Sequence, residues 1–264
     1  MINIHPLYSS SSGNMFHIGS EKTDILIDAG VNYKAINDAL VGIDKKVDDI
    51  SAVLITHEHT DHIKGLTLLC RKHKIPIFAC GKTADYIKEM LDEKNITSDI
   101  YKISYGQPFK IHDFDITAFE TSHDAVMPCG YRINCKDTTL SYATDLGYMS
   151  NEVFENLQNS DFVVLESNYD ETMLDFGKYP YPLKRRIKGN EGHLSNYESA
   201  STVARLARQN ESNFVLAHLS ENNNNADLAR STFEEVLTKN DIDINKINLS
   251  FASKNLSTEV FKIW

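Results

Sequence analysis

Three histidines and one aspartate stand within six positions, directly after an apolar run of strand character: His57, His59, Asp61 and His62. Imidazole nitrogen and carboxylate oxygen are the ligands that divalent ions such as zinc prefer. A loop at the end of a buried strand fixes such ligands on a rigid element and leaves the metal accessible. The spacing lets one pair of side chains turn towards each of two neighbouring ions. The segment therefore predicts a dinuclear metal site that hydrolyses its substrate without a side-chain nucleophile.

A second segment has the residue types that bind phosphate. Four cations occur within five positions, in a chain whose net charge is −10: Lys184, Arg185, Arg186 and Lys188. A Gly-His-Leu-Ser turn follows them and opens a predicted helix. Guanidinium groups and the free N–H groups of a helix N-terminus both suit a phosphate oxyanion. We therefore predict that this segment binds substrate phosphates, and the alternative is the solvated face of a short helix.

The turn contributes two further candidate residues, His193 and Ser195. His193 is predicted to donate a proton to the leaving oxygen or to bind the scissile phosphate, and the alternative is an ordinary histidine of a helix N-terminal turn. Ser195 is predicted to bind phosphate. The loop 8–14, rich in Ser and containing Ser11 and Asn14, could cradle an anion with hydroxyl and N–H groups, or it could be only a turn.

The apolar pattern predicts the elements that carry these residues. Strands are predicted at residues 2–8, 15–18, 24–28, 52–56, 109–112, 115–121, 131–135, 139–144, 162–166, 214–217 and 247–252, with an edge strand at 261–264. Helices are predicted around residues 33–40, 65–74, 86–91, 195–209 and 225–237. This order favours an α/β fold in which two β-layers pack inside outer helices. Because no linker or repeat divides the chain, we expect a single domain over residues 1–264.

Composition narrows the class of protein. Hydrophobic residues make up 41% and charged residues 24% of the 264 residues, which is typical of a packed globule and excludes intrinsic disorder. The net charge excludes a protein that holds polyanions by its overall field, although a local basic patch stays possible. No secretory signal and no membrane-spanning run is visible, and the four cysteines form no CxxC pair. We therefore expect a cytoplasmic protein.

The spacing His-x-His-x-Asp-His after a hydrophobic strand resembles the signature of the metallo-β-lactamase-fold hydrolases, which are four-layer αββα sandwiches. The resemblance implies two groups of ligands: His57, His59 and His123 for the first metal, and Asp61, His62 and His218 for the second. It implies that Asp145 bridges the two ions and that Asp28 orients the metal loop. Zinc is the expected metal, with manganese or iron as alternatives. Since penicillin-hydrolysing members lack this bridging Asp, the resemblance implies another substrate.

Several segments together resemble one bacterial branch of that family, the YycJ (WalJ, VicX) exonucleases. They include the Ser-Ser-Gly-Asn loop, the Gly-His-Leu-Ser turn and the run that follows His218. The resemblance implies a cytoplasmic exonuclease that degrades double-stranded DNA from five-prime to three-prime with two divalent ions. DNA is therefore the expected partner, and neither a membrane nor a stable protein partner is predicted.

Ribonuclease Z, another member of the family, uses a turn histidine and a glutamate as a pair, and His193 and Glu166 stand in similar places. We therefore expect Asp61, His193 and Glu166 to take part in phosphodiester hydrolysis. Three alternatives stay open at this point. They are a thioesterase or lactonase that acts on a small molecule, ribonuclease Z-like RNA processing, and a metal-binding protein without catalytic activity.

Overall fold

The computed structural model describes residues 2–257 and 259–263, in which fourteen strands form two sheets of seven. Strands are numbered along the chain. The first sheet has the order β14-β1-β2-β3-β4-β5-β6 and consists of β1 (Ile2–Ser10), β2 (Gly13–Gly19), β3 (Asp24–Ile27), β4 (Ala52–Ile55), β5 (Ile77–Cys80), β6 (Ile100–Ile103) and β14 (Phe261–Ile263). The second has the order β13-β12-β11-β10-β9-β8-β7 and consists of β7 (Phe109–Ile111), β8 (Phe114–Glu120), β9 (Cys129–Cys135), β10 (Thr138–Ala143), β11 (Phe162–Glu166), β12 (Asn213–Ala217) and β13 (Asn248–Phe251).

Helices cover the outer face of each sheet. The first sheet is covered by α1 (Tyr33–Gly42), α2 (Thr60–Ile63), α3 (Leu66–Lys72) and α4 (Gly81–Asp92). The second is covered by α5 (Asn151–Leu157), α8 (Asn196–Ala207) and α9 (Ala226–Lys239), while α6 (Glu171–Phe176) and α7 (Tyr181–Ile187) connect β11 to α8. Two short 3₁₀ turns complete the helical segments, Val47–Asp49 and Ile244–Lys246. None of the helices in the described residues combines the length and the apolar character that crossing a membrane requires.

Three apolar layers hold these elements together. The largest lies between the two sheets, where the ring of Phe16 on β2 meets the ring of Tyr142 on β10 edge to face, with 5.1 Å between their centroids. The other two layers lie between each sheet and its helices. Burial of these side chains is the main stabilising contribution to such a structure. The predicted four-layer αββα sandwich is therefore confirmed.

The sequence pattern found the long and strongly apolar elements and missed several short ones. Each predicted strand is present, with ends that differ by one or two residues, and residue 264 of the predicted edge strand lies outside the described residues. Strands β5 and β6 were not predicted: β5 runs directly into α4, and two of the four residues of β6 are exposed. Helices α2, α5, α6 and α7, which have four to seven residues each, were also not predicted.

Parallel pairing at the centre of both sheets decides where the loops meet. Strands β3 to β6 run parallel to one another, and so do β10 to β13. The central strands β3, β4, β11 and β12 are almost continuously apolar because helices or the other sheet cover both of their faces. The carboxyl ends of parallel strands lie along one edge of a sheet, where ligands commonly bind. This edge is therefore the expected place for the functional site.

Candidate metal centre

The candidate residues follow the carboxyl ends of central strands in both sheets. Asp28 directly follows β3, and His57 comes two residues after β4. In the second sheet, Asp145 comes two residues after β10, Glu166 is the last residue of β11, and His218 directly follows β12. The two sheets therefore bring residues that are far apart in the chain to one edge of the sandwich.

Three of these positions have a left-handed backbone conformation. The φ angles are 62° at Asp28, 59° at Asp145 and 57° at His218. A residue with a side chain pays on the order of 1 kcal/mol or more for this conformation, and such positions concentrate at functional sites. The surrounding strands hold the backbone there, so each side chain leaves its strand end in one fixed direction.

The first candidate ligand group consists of His57, His59 and His123, whose ring nitrogens lie within 4.8 Å of one another. Nε2 of His57 is 3.1 Å from Nδ1 of His59. Nδ1 of His123 lies 3.0 Å from the carbonyl oxygen of Gly192, to which it donates, so Nε2 stays available to a metal. Burial, together with the imidazole of His62, holds the pKa of His57 well below its usual value. The neutral ring that results is the form that binds a metal ion.

The second candidate ligand group consists of Asp61, His62 and His218. The carboxylate of Asp28 accepts a hydrogen bond from Nδ1 of His62 at 2.7 Å, which directs Nε2 towards Asp61 Oδ2 at 3.5 Å. Burial alone lowers the pKa of His218, but Asp145 and the other nearby carboxylates outweigh it and raise the pKa to about 9. A divalent cation can replace protons in such a carboxylate-rich group.

Asp145 lies between the two groups. Its Oδ1 is 3.7 Å from Nε2 of His123, and its Oδ2 is 3.5 Å from Nε2 of His62. Burial raises the pKa of Asp145, yet the neighbouring imidazoles, first that of His218, bring it below its usual value. One ionised carboxylate therefore reaches both groups, which is the geometry that a bridging ligand needs.

Two buried polar atoms test whether this donor set fits a metal. Oδ2 of Asp145 and Nε2 of His218 are both inaccessible to solvent, and neither has a hydrogen-bond partner among the described residues. A buried polar atom without a partner costs about 1–3 kcal/mol, and more when it is charged. Metal ions bound next to these two atoms would give each of them a partner. The cluster of His and Asp residues therefore fits divalent metal ions.

Glu166 connects two histidines of the site. Its Oε1 accepts hydrogen bonds from Nδ1 of His193 at 2.8 Å and from Nδ1 of His218 at 2.9 Å. Its Oε2 accepts from the backbone N–H groups of Leu146 and Leu194. Burial raises the pKa of Glu166, but the two imidazoles outweigh it, so the carboxyl is ionised at neutral pH. Because both rings use Nδ1 for this bond, Nε2 of each is the atom available to a metal or a substrate.

Two hydroxyl groups support the site, and the sequence analysis missed both. Thr56 donates its backbone N–H to Asp28 Oδ1 at 2.9 Å, and its Oγ1 lies 3.0 Å from Nδ1 of His57. Ser9 Oγ accepts the backbone N–H of His218 at 2.7 Å. The only signal in the sequence is that Thr56 directly precedes the histidine segment. A short hydroxyl side chain in a strand has no spacing pattern that distinguishes it from an ordinary strand residue.

The four cations that are predicted to bind phosphate differ in whether they already have a partner within the protein. Lys184 donates to two backbone carbonyls at the end of α6 and the turn after it, and Lys188 pairs with an aspartate of α6. Arg186 pairs with Asp124, which directly follows His123 in the chain. Arg185 is exposed and forms no ion pair within residues 2–257 and 259–263. Three of the four cations therefore already have partners within the chain, and phosphate binding by this group stays a prediction.

Of the other three predicted substrate-binding residues, Ser195 and Asn14 are buried and have partners within the protein. Ser195 is fully buried and caps α8, where its Oγ accepts the backbone N–H of Glu198, so its hydroxyl does not reach a phosphate. Asn14 is buried and donates from Nδ2 to Asp61 Oδ2 at 3.3 Å, so it orients a candidate metal ligand. Ser11 is exposed in the turn between β1 and β2. Of these three, Ser11 alone faces solution.

A cleft of about 780 Å³ opens beside His123. Its charged lining consists of Glu120, Glu152 and Glu191 together with Lys82. The excess of carboxylates makes this side of the site acidic. A polyanionic substrate would therefore approach the metal centre from another side.

The fold and the convergent His and Asp side chains are those of a metallo-β-lactamase-fold hydrolase. The sequence model of the beta-lactamase superfamily domain matches residues 23–219, and the chain belongs to this superfamily. The chain is 36% identical over 232 residues to the exodeoxyribonuclease YycJ of Bacillus anthracis, which covers 88% of this chain and 87% of that protein. It is also 36% identical over 239 residues to the exodeoxyribonuclease WalJ of Streptococcus pneumoniae, which covers 90% and 89%. The resemblance to this branch is confirmed.

Solved structures share the architecture at much lower sequence identity. The metallo-β-lactamase fold protein YhfI from Bacillus subtilis superposes with a TM-score of 0.74 over 98% of each chain, at 16% identity. At that level of identity the comparison shows the common fold and carries no information on substrate.

Proposed function

We propose that this protein is a metal-dependent exodeoxyribonuclease that degrades double-stranded DNA from the five-prime end. The observation that carries the proposal is the 36% identity to two curated exodeoxyribonucleases over about nine-tenths of the chain. The two potential ligand groups around Asp145 support it, because they supply the donors that metal-assisted phosphodiester hydrolysis requires.

We infer that these groups would hold two divalent ions, with Asp145 within reach of both groups and Asp28 orienting His62. Zinc is the first candidate, because nitrogen and carboxylate oxygen donors suit it, and manganese and iron are the alternatives. Bound in these groups, such ions would supply activation of a water for attack on phosphorus and stabilisation of the charge that develops on the phosphate oxygens. The side chains of this protein supply the other requirements, which are orientation and proton transfer.

Glu166 and His193 provide the proton for the leaving oxygen in this proposal. Glu166 accepts the Nδ1–H of His193 at 2.8 Å, which fixes the tautomer and the orientation of the ring. Nε2 of His193 is then the atom that donates a proton to the departing oxygen. Asn14 holds Asp61 in place through its amide, and Asp28 does the same for His62.

We propose a cytoplasmic location, because the proposed DNA substrate lies in that compartment in bacteria. The four cysteines support this location. They are buried and free in the structure, as is typical of a reducing compartment: Cys70, Cys80, Cys129 and Cys135.

The test is a gel assay with duplex DNA labelled at either end, in which zinc, manganese and iron are supplied in turn. We expect mononucleotide release from the five-prime end, and the Asp145→Asn variant to lose more than about 100-fold of this activity, since it removes the bridging charge. Asp38→Asn is the matched control, because Asp38 is an exposed partner of Lys34 on α1. Cleavage of precursor RNA or of thioesters without cleavage of DNA would contradict the proposal and favour the corresponding alternative activity.

A further inference from the structure

Between Glu166 and His193 the chain leaves the second sheet and forms the compact pair α6 and α7. A small cluster of its own holds this pair together, in which Leu174 of α6 and Ile187 of α7 pack around Tyr169. The backbone N–H of His193 donates to the carbonyl of Ile187 at 2.9 Å. The end of α7 is therefore in direct contact with the residue that we propose as proton donor.

A second contact ties α7 to the metal centre. The guanidinium of Arg186 pairs with the carboxylate of Asp124, which directly follows His123. This pair and the bond from His193 attach the end of α7 to two loops of the candidate site. A helix of seven residues is only about 10 Å long, so a ligand that lies along α7 would lie near the candidate metal ligands.

Two aromatic side chains on this pair of helices are unusually exposed. Phe176, the last residue of α6, is 88% exposed, and Tyr181, the first residue of α7, is 72% exposed. They are the two most exposed of the large apolar side chains that the structure describes. Neither belongs to the small cluster that holds α6 and α7 together. Their rings are thus available for contact with another molecule, as is common for apolar groups in binding surfaces.

A cation lies on the same face as one of these rings. Tyr181 and Arg185 are four residues apart in α7, so their side chains are neighbours on one face of the helix. Both line a cavity of about 740 Å³, together with Lys184 and Lys188. This cavity has more basic than acidic side chains, whereas the cleft beside His123 is acidic. In a protein of net charge −10, a polyanion would approach this side of the site.

We propose that Phe176, Tyr181 and Arg185 form a platform that binds the end of a DNA strand, an assignment that rests on the proposed nuclease function. Terminal bases stack on the two aromatic rings, and the guanidinium of Arg185 contacts a backbone phosphate. Aromatic rings beside a free cation are the usual means of holding nucleic acid without sequence preference. The contacts of α7 with His193 and Asp124 place the bound strand beside the metal centre. The platform thereby selects strand ends over continuous duplex.

The first experiment measures DNA binding by the holoenzyme. The ligand is a short duplex whose terminal linkages are phosphorothioates and whose end base is 2-aminopurine. We expect wild-type protein to quench the 2-aminopurine fluorescence, because the base stacks. The double variant Phe176→Ala/Tyr181→Ala should weaken binding roughly tenfold to 100-fold and lose the quenching. Tyr86→Ala, a change at an exposed tyrosine of α4, is the matched control and should behave as wild type.

A second measurement tests the role of Arg185. Arg185→Ala should lower the slope of log affinity against log salt concentration by about 1, the value for one lost phosphate contact. Arg71→Ala on α3 is the matched control, since Arg71 is also exposed. In turnover, both platform changes should raise the KM for DNA more than the KM for bis(4-nitrophenyl) phosphate, which has no bases to stack.

Two results would overturn the platform. One is DNA affinity and fluorescence quenching in the double variant that equal those of wild type. The other is a loss of binding to phosphatidylglycerol vesicles in the variants while DNA binding is retained, which would assign the surface to a membrane. Failure of the nuclease proposal gives a different result: wild-type protein then hydrolyses neither DNA nor bis(4-nitrophenyl) phosphate, whatever its DNA affinity.

Discussion

Glu166 is the residue on which most of the proposed proton chemistry depends. One buried carboxylate accepts hydrogen bonds from His193 and His218, and two backbone amides hold its other oxygen. A candidate metal ligand and the proposed proton donor are therefore oriented by the same group. This arrangement couples the position of the leaving-group proton to the position of the metal.

The Glu166→Gln variant tests this role at the scale of one residue. An amide oxygen is uncharged and holds the Nδ1–H of His193 less firmly, so the ring is less well oriented for proton donation and we expect kcat on DNA to fall by about 100-fold. The loss should be much smaller for bis(4-nitrophenyl) phosphate, because nitrophenolate leaves without a proton. Steady-state kinetics on both substrates makes the comparison, with the exposed Glu235→Gln on α9 as control. Equal losses on the two substrates would contradict proton donation and indicate a purely structural role.

At the scale of elements, strand ends and helix starts decide which side chains are free. Ser195 and Glu198 form a reciprocal capping box at the start of α8, so a turn that looked suited to phosphate is used to begin a helix. In the same way, the cations of α7 bind α6 and the loop after His123. These contacts build the surface that carries Phe176, Tyr181 and Arg185.

The pairing of β1 with β2 predicts a pH dependence of stability that is separate from the site. His5 and His17 are paired across these strands, and burial together with His17 lowers the pKa of His5 to about 4. In the unfolded chain that pKa is about 6.5, so the unfolded state binds more protons between these values. Stability is therefore lost as the pH falls from about 6.5 to about 4.

The change that tests this is His5→Gln, which removes the titrating group. From pH 7 to pH 5 we expect the wild type to lose roughly 1–2 kcal/mol more of its free energy of unfolding than the variant. Urea unfolding at both pH values measures the difference. Loss of metal ions at low pH affects both proteins and cancels in the comparison. A wild-type loss equal to that of the variant would show that His5 is not the group responsible.

At the scale of the whole molecule, two features join the first sheet to the second. One is the apolar layer between the sheets, and the other is the candidate metal centre at their common edge. Phe16 and Tyr142 connect the sheets inside the sandwich, while His62 and Asp145 connect them at the edge. We therefore propose that residues 1–264 form a single domain. Four carboxylates lie at that edge, and Glu166 opposes the ionisation of Asp145. Bound cations would therefore add stability there: the four are Asp28, Asp61, Asp145 and Glu166.

Removal of metal ions tests whether the chain is a single domain and whether bound ions stabilise it. We expect one cooperative thermal transition, and a chelator to lower its midpoint by roughly 5 °C or more, because ligands that bind only the folded state stabilise it. Added zinc or manganese should restore both the midpoint and the activity. Calorimetry with and without chelator makes the measurement. Two separate transitions would contradict the single domain, and an unchanged midpoint would contradict metal binding in the folded state.

The sequence by itself determined the layers of the fold and the residue types of the candidate metal centre. Apolar periodicity is local, so most strands and the longer helices could be predicted within one or two residues at the strand ends. Four potential ligands lie within the six residues 57–62, and their donor chemistry does not depend on the rest of the chain.

Only the tertiary structure decided which polar groups are free. Arg186 pairs with a residue 62 positions away, and Glu166 joins histidines 27 and 52 positions away, so no local pattern contains these contacts. Three of the four cations are engaged by partners outside their own helix, while Arg185, Phe176 and Tyr181 are left exposed. The physical reason is that a hydrogen bond or an ion pair forms wherever folding brings donor and acceptor together, whereas sequence spacing specifies only neighbours within one element.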